Sequence, residues 1–228
     1  MQAEKIAALR SLITKPELEG IIARIPLGHA AVDFNLNGGL EKGALHEVFS
    51  VIGHEAAATG FTAGLAMRVA ASKPLLWIVQ DFSTTEFGEL SATGLHQLGA
   101  DPSRLLMLRV ANADDAVRAA NDALSCAALG AVVIETPGHP KILDMTTSRR
   151  LTLACAQHRV TAFLLRFAAR PGFNTAETRW QVKAAPSFKQ DENWGRPIFQ
   201  AQLLRNRHGQ TGEWCMEWNS NERIFKSP

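Results

Sequence analysis

Apolar and polar residues change period several times along the chain, and each change predicts an element. Residues 3–14 place Ile6, Leu9 and Ile13 at helical spacing. Lys15-Pro16 ends that helix, because a proline pushes the residue before it out of the helical region. Asp33 to Gly43 is a turn-rich stretch. Ala44 to Phe49 reads as a strand. Ala56 to Ala71 reads as a helix, with Phe61, Leu65 and Val69 on one face. Leu75 to Val79 is the continuous apolar run that a strand buried on both faces needs. The alternation continues with a helix over Glu86 to Leu98, a strand over Leu105 to Val110 and a helix over Ala113 to Leu129. Asp114 and Asp115 fall in the first turn of that helix, where its dipole favours anions. A strand from Ala131 to Ile134 ends at Glu135. A helix over Asp144 to His158 and a strand over Thr161 to Phe167 follow. Strands alternating with helices predict an α/β fold with a mostly parallel sheet flanked by helices. After Ala168 the pattern changes. Trp180 to Ala184 and Phe199 to Arg205 read as strands, Gly209 to Gly212 as a hairpin turn, and Trp214 to Trp218 as a returning strand with both tryptophans on one face. The sheet is expected to end in C-terminal antiparallel strands.

Composition narrows the class. The chain has 228 residues, 46% hydrophobic and 20% charged, which excludes disorder as its main state. No apolar run is long enough for a membrane span, and the first residues carry no secretory signal. Cys126, Cys155 and Cys215 are far apart and odd in number, so they read as free thiols in a reducing, cytoplasmic setting. Without a visible linker, one domain over residues 25–220 is expected, after an N-terminal helix and connector (1–24) and before a short tail (221–228). The charge is split. Residues 1–145 carry 11 Lys and Arg against 16 Asp and Glu, whereas residues 146–228 carry 13 against 6. A basic C-terminal third suits an acidic partner (nucleic acid, nucleotide or acidic protein face), or it is simply a set of solvated edges.

Three motifs carry a resemblance. Asp33 to Phe49, with Gly38-Gly39-Leu40 and then Lys42-Gly43-Ala44-Leu45-His46-Glu47-Val48, resembles the entry to the nucleotide-binding core of RecA-type recombinases. Leu204-Arg205-Asn206-Arg207-His208-Gly209-Gln210-Thr211-Gly212 is similar to the basic hairpin of RecA-like helicases and recombinases, whose two basic residues reach the neighbouring subunit's nucleotide. Gly94 to Leu106 resembles a RecA-like helix-to-strand step. Together with Arg149-Arg150-Leu151 and Thr178-Arg179-Trp180, their order resembles the inducible mutagenesis protein A family, ImuA, over roughly residues 25–220. That family is RecA-like and related to the division inhibitor SulA. The resemblance implies an accessory protein of SOS-induced mutagenic translesion DNA synthesis. It also implies partners, the polymerase-like protein ImuB and an error-prone polymerase; RecA and single-stranded DNA are further candidate partners. The N-terminal helix falls where RecA proteins carry their subunit-exchange segment, which implies self-association.

The chemistry of the nucleotide site is incomplete. A phosphate loop needs Gly-x4-Gly-Lys-[Ser/Thr]: glycines so that amides close on the phosphates, lysine for their charge, and a hydroxyl for magnesium. Here Gly53 and Gly60 are separated by six residues, Phe61 stands where the lysine is required, and Glu55 adds a negative charge. No cofactor or metal ion is therefore expected. Glu135 and Asp81 match the positions of the RecA magnesium-linked and catalytic carboxylates, and Arg166 lies where a glutamine sensor would be. Gly53, Gly60, Asp81 and Glu135 thus read as a degenerate nucleotide site, or the two carboxylates are inherited groups at strand ends. Arg205 and Arg207 are the leading candidates for partner or DNA contact, followed by Arg149, Arg150, Arg170 and Arg179. The segments Thr136 to Leu143 and Ala168 to Glu177 match the RecA DNA loops but are short; they carry Lys141, Arg170 and Phe173. The histidines show no paired metal-ligand spacing, no Gly-x-Ser-x-Gly elbow occurs, and Cys155 reads as core. The reading is a non-catalytic binding protein. The alternatives are a weak DNA-stimulated ATPase using Asp81, Glu135, Arg205 and Arg207, and a SulA-like inhibitor of the division protein FtsZ.

Overall fold

A computed structural model describes residues 23–187 and 195–228. The expected helix over residues 3–14 lies outside them. A two-stranded ribbon, β1 (Arg24–Ile25) with β2 (Leu40–Glu41), encloses the short helix α1 (Ala30–Asn35). The main sheet is nine-stranded. Its strands are β3 (Leu45–Ser50), β4 (Leu75–Gln80), β5 (Leu105–Val110), β6 (Ala131–Pro137), β7 (Thr161–Phe167), β8 (Thr178–Ala185), β9 (Ile198–Asn206), β10 (Gly212–Asn219) and β11 (Ile224–Lys226). Their spatial order is β11-β10-β9-β8-β3-β7-β6-β4-β5. The six strands from β8 to β5 run parallel, and β9, β10 and β11 extend the sheet antiparallel. The α/β fold, the mostly parallel sheet and the antiparallel C-terminal strands are as expected.

Helices cover both faces, which is why the central strands are apolar without alternation. On one face lies α2 (Glu55–Ala70). Its small residues let it sit close to the sheet: a side chain at Gly64 would run into Phe225 and Trp218. Phe61 of α2 meets Trp180, Phe199 and Phe225 at ring-centroid distances of 5.5, 5.7 and 5.2 Å. On the opposite face, α5 (Ala113–Leu124) and α6 (Met145–His158) bury Ala116, Ala120, Leu124, Leu151 and Cys155. Both start on side-chain caps, Asn112 accepting from the Asp115 amide (2.9 Å) and Asp144 from the Thr147 amide (2.7 Å). Burial pushes the Cys155 thiol up to about 12, which suits a core residue and not a nucleophile.

Four sequence expectations change. The helix expected over Glu86 to Leu98 is two helices, α3 (Asp81–Phe87) and α4 (Ala92–Gln97), because Gly88 takes a left-handed φ of +89° between them. The helix expected to reach Leu129 stops at Leu124. The turn-rich stretch overlaps the end of α1 and contains β2, elements too short to show a period, yet Leu36 and Leu40 are core residues. Residues 221–228 include β11, whose Phe225 is fully buried, so they belong to the sheet and not to a tail.

Candidate functional site

In an open parallel sheet, the loops after the carboxyl ends of the strands gather where ligands usually bind. Here those loops follow β3, β6 and β7. The β3–α2 loop is short: α2 begins at Glu55, so only residues 51–54 connect the two elements. Gly53 lies in this loop, and the Glu55 carboxylate accepts its amide at 3.2 Å. Gly60 does not lie in the loop. It is buried in the second turn of α2, and Phe61 after it points into the aromatic core. No lysine is in the loop.

A groove of about 270 Å³ opens beside this loop, lined by Glu55, Thr59, Phe87, Glu89, Glu135 and Phe167 among others. Its charged side chains are all acidic. Glu135 is buried and accepts hydrogen bonds from Trp77 Nε1 (3.1 Å) and the Ser83 hydroxyl. Burial raises the pKa of its carboxyl, more than those two donors lower it. Asp81 is turned elsewhere: it starts α3, is exposed, and pairs with Arg109 of β5 at 2.6 Å. Asp81 and Glu135 therefore do not converge on one ion.

The other face of the sheet holds a buried ion cluster. Glu47 of β3 is 1% exposed and sits between Arg166 of β7 (3.1 Å) and Arg179 of β8 (2.8 Å). Asn174 donates to its second oxygen at 2.6 Å. Arg166 also donates to the Gly138 carbonyl (2.8 Å) and lies over the Phe49 ring. Burial holds its guanidinium pKa below the usual value. Arg166 is thus a structural cation here, and Arg179, expected on a contact surface, is committed to Glu47. The sequence reading passed over Glu47 and Asn174. The available signal was one acid and one arginine, each alone inside an apolar strand.

That cluster draws two loops together. The segment after β6 and the segment after β7 touch where His139 Nε2 accepts the Arg170 amide at 3.1 Å. Around this contact Arg170 is exposed, and Phe173 is 94% exposed. Arg149 and Arg150 are exposed in the first turns of α6. The β7–β8 segment reaches α6 through Thr175, whose hydroxyl bonds Ser148 (2.9 Å) and Thr152 (2.7 Å). Arg205 of β9 joins the same segment by donating to the Asn174 carbonyl at 2.7 Å. Arg170 and Arg205 thus flank one ordered segment.

The basic hairpin lies at the opposite end of the sheet from the β3–α2 loop. His46 pairs with Thr178, and Thr178 with Asn206, next to the hairpin. Ser50 pairs with Val182 at the other end. Arg207 is exposed on this hairpin. The hairpin is anchored to α1 by Asn206 Nδ2 donating to the Asn35 carbonyl (2.8 Å) and Asn37 Nδ2 to the His208 carbonyl (2.5 Å). Beneath it, His46 is fully buried. Its Nε2 must carry the proton, because its partner at 2.8 Å is the Glu41 carbonyl. Its Nδ1 then accepts from the Thr178 hydroxyl at 2.8 Å. Burial lowers its pKa to about 4.

Fold and site together define an α/β protein with a helix-covered parallel sheet, a short loop at the first crossover and exposed arginines on α6, on the β7–β8 segment and on the basic hairpin. No helix among the described residues is long and apolar enough to cross a membrane. The chain is 28% identical over 198 residues to Protein ImuA of Caulobacter vibrioides, in strains NA1000/CB15N and ATCC 19089/CB 15, covering 79% of this chain and 77% of that one. No family model matches the chain. The chain is thus similar to Protein ImuA over most of the length of both.

Proposed function

We propose that this chain is a non-catalytic, RecA-like accessory protein of inducible mutagenesis in the DNA-damage response, working in the cytoplasm. The observation that carries the non-catalytic part is the β3–α2 crossover. An ancestral phosphate loop there would be a degenerate one: it is four residues long, has no lysine, and holds a carboxylate against the Gly53 amide. Phosphates brought to this place would meet Glu55 and the acidic groove, and unpaired charge away from water is strongly penalised. Gly53, Gly60, Asp81 and Glu135 are then remnants of a nucleotide site. The similarity to Protein ImuA supports the mutagenesis role and, in general terms, association with an ImuB and polymerase system.

The contact surface we propose comprises Arg149, Arg150, Arg170, Arg205 and Arg207, with Phe173 as an exposed ring. A cation beside a free aromatic suits single-stranded DNA, and the same arginines suit an acidic face of a polymerase-like partner. RecA and a second copy of the chain are further partners under this reading. The test is co-precipitation of the purified chain with the ImuB protein encoded in the same genome, with and without single-stranded oligonucleotide. The reading expects capture that weakens when Arg205 and Arg207 are both changed to Ala. Capture of neither ImuB nor DNA at low salt overturns it.

A further inference from the structure

Three side chains distant in sequence meet at the end of the sheet that carries the basic hairpin. Glu41 ends β2, Glu177 immediately precedes β8, and His208 lies just past β9. One ligand atom from each lies within 4.8 Å of the others. Glu177 is 5% exposed, and no hydrogen-bond donor among the described residues reaches its Oε1. That oxygen is 3.6 Å from His208 Nε2. Two ligands of a tetrahedral zinc ion, at bond lengths of about 2.0–2.1 Å, stand about 3.4 Å apart, so this pair already has close to the required spacing. Glu41 gives one carboxylate oxygen to Arg24 (3.1 Å) and keeps the other.

We propose that Glu41, Glu177 and His208 form a site for a divalent transition-metal ion of the zinc type. Two carboxylates and an imidazole favour zinc over magnesium or calcium, which prefer oxygen alone. A solvent molecule completes the tetrahedron on the exposed His208 side. The charged groups facing the site are Arg24 and Arg207, and neither neutralises Glu177 fully: burial and the like charge of Glu41 raise the pKa of its carboxyl. A cation relieves that strain between charges. It also fixes the hairpin bearing Arg205 and Arg207 to the start of β8, so occupancy sets the aim of those arginines.

Zinc chloride is titrated calorimetrically into the full chain, free of any affinity tag, and cobalt(II) serves as a spectroscopic probe. The expected result is one zinc per chain, with affinity reduced roughly tenfold or more in both His208→Ala and Glu177→Gln. Cobalt is expected to bind without a thiolate charge-transfer band, which separates this site from the exposed Cys126 and Cys215. His208 is half exposed on a hairpin, so His208→Ala keeps the fold and carries the test if Glu177→Gln does not fold. Absence of saturable zinc binding, equal binding by His208→Ala, or a thiolate band each overturns the proposal; in the first case His208 and Glu177 are a plain ion pair.

Discussion

Phe61 is the residue at which the sequence motif and the packing disagree most usefully. By position it follows Gly60, where a phosphate loop would carry its lysine; by structure it is fully buried on α2 between Trp180, Phe199 and Phe225. Replacing it by alanine removes a ring that three aromatic partners surround. Buried Phe→Ala changes cost about 3–5 kcal/mol, and this site belongs at the upper end because the surrounding rings cannot collapse into the gap. Against a total stability of about 5–15 kcal/mol, that loss is large. Equilibrium urea unfolding is the assay. With a slope of about 2 kcal/mol/M, the midpoint should fall by about 2 M with the slope unchanged. Phe61→Lys should do worse, leaving an ammonium in an aromatic core, and should gain no affinity for ATP. Ile52 of the β3–α2 loop, 86% exposed, is the internal control: Ile52→Ala should stay within about 0.5 kcal/mol. A Phe61→Ala loss below about 1 kcal/mol, or a folded Phe61→Lys protein that binds ATP, would refute this account of the crossover.

Two further predictions concern the buried polar groups. Glu47→Ala leaves Arg166 and Arg179 without their shared anion and should destabilise by about 3–5 kcal/mol in urea unfolding, whereas replacing all three together, Glu47→Leu with Arg166→Met and Arg179→Met, should cost far less, since a whole buried ion cluster can be replaced by apolar groups. His46 has a folded-state pKa of about 4, below its ordinary 6.5, so the unfolded chain binds the extra proton first. Its contribution is fully present above pH 6.5 and is lost as pH falls through 4. An NMR titration should find the His46 ring neutral at pH 5; a ring that protonates near pH 6.5 would contradict the hydrogen bonds assigned to it.

Much of the fold is legible in the sequence because the covered parallel strands are continuous apolar runs and the long helices keep their period. Leu75 to Val79 and Thr161 to Phe167 needed nothing else. The misses have physical causes. Residues 30–35 and 224–226 form elements shorter than two periods, so Leu36, Leu40 and Phe225 announce burial only once the sheet is assembled. Gly88 breaks a helix through a φ that no periodicity reports. At the site, the absent lysine was visible directly, and the helical spacing over Ala56 to Ala71 already put Gly60 and Phe61 inside the helix that the structure shows over Glu55–Ala70. Glu47 with Arg166 and Arg179, and Glu41 with Glu177 and His208, are joined by strand order across more than a hundred residues, which local motif spacing does not encode.

The central claim is that this protein acts without nucleotide chemistry. Titrating ATP with magnesium into the full chain by calorimetry, at millimolar nucleotide and with and without single-stranded oligonucleotide, tests it most directly. The account predicts no saturable heat in either condition. Saturable binding that weakens in Glu135→Ala or Arg205→Ala would contradict it and make this chain a nucleotide-binding protein with an altered phosphate loop.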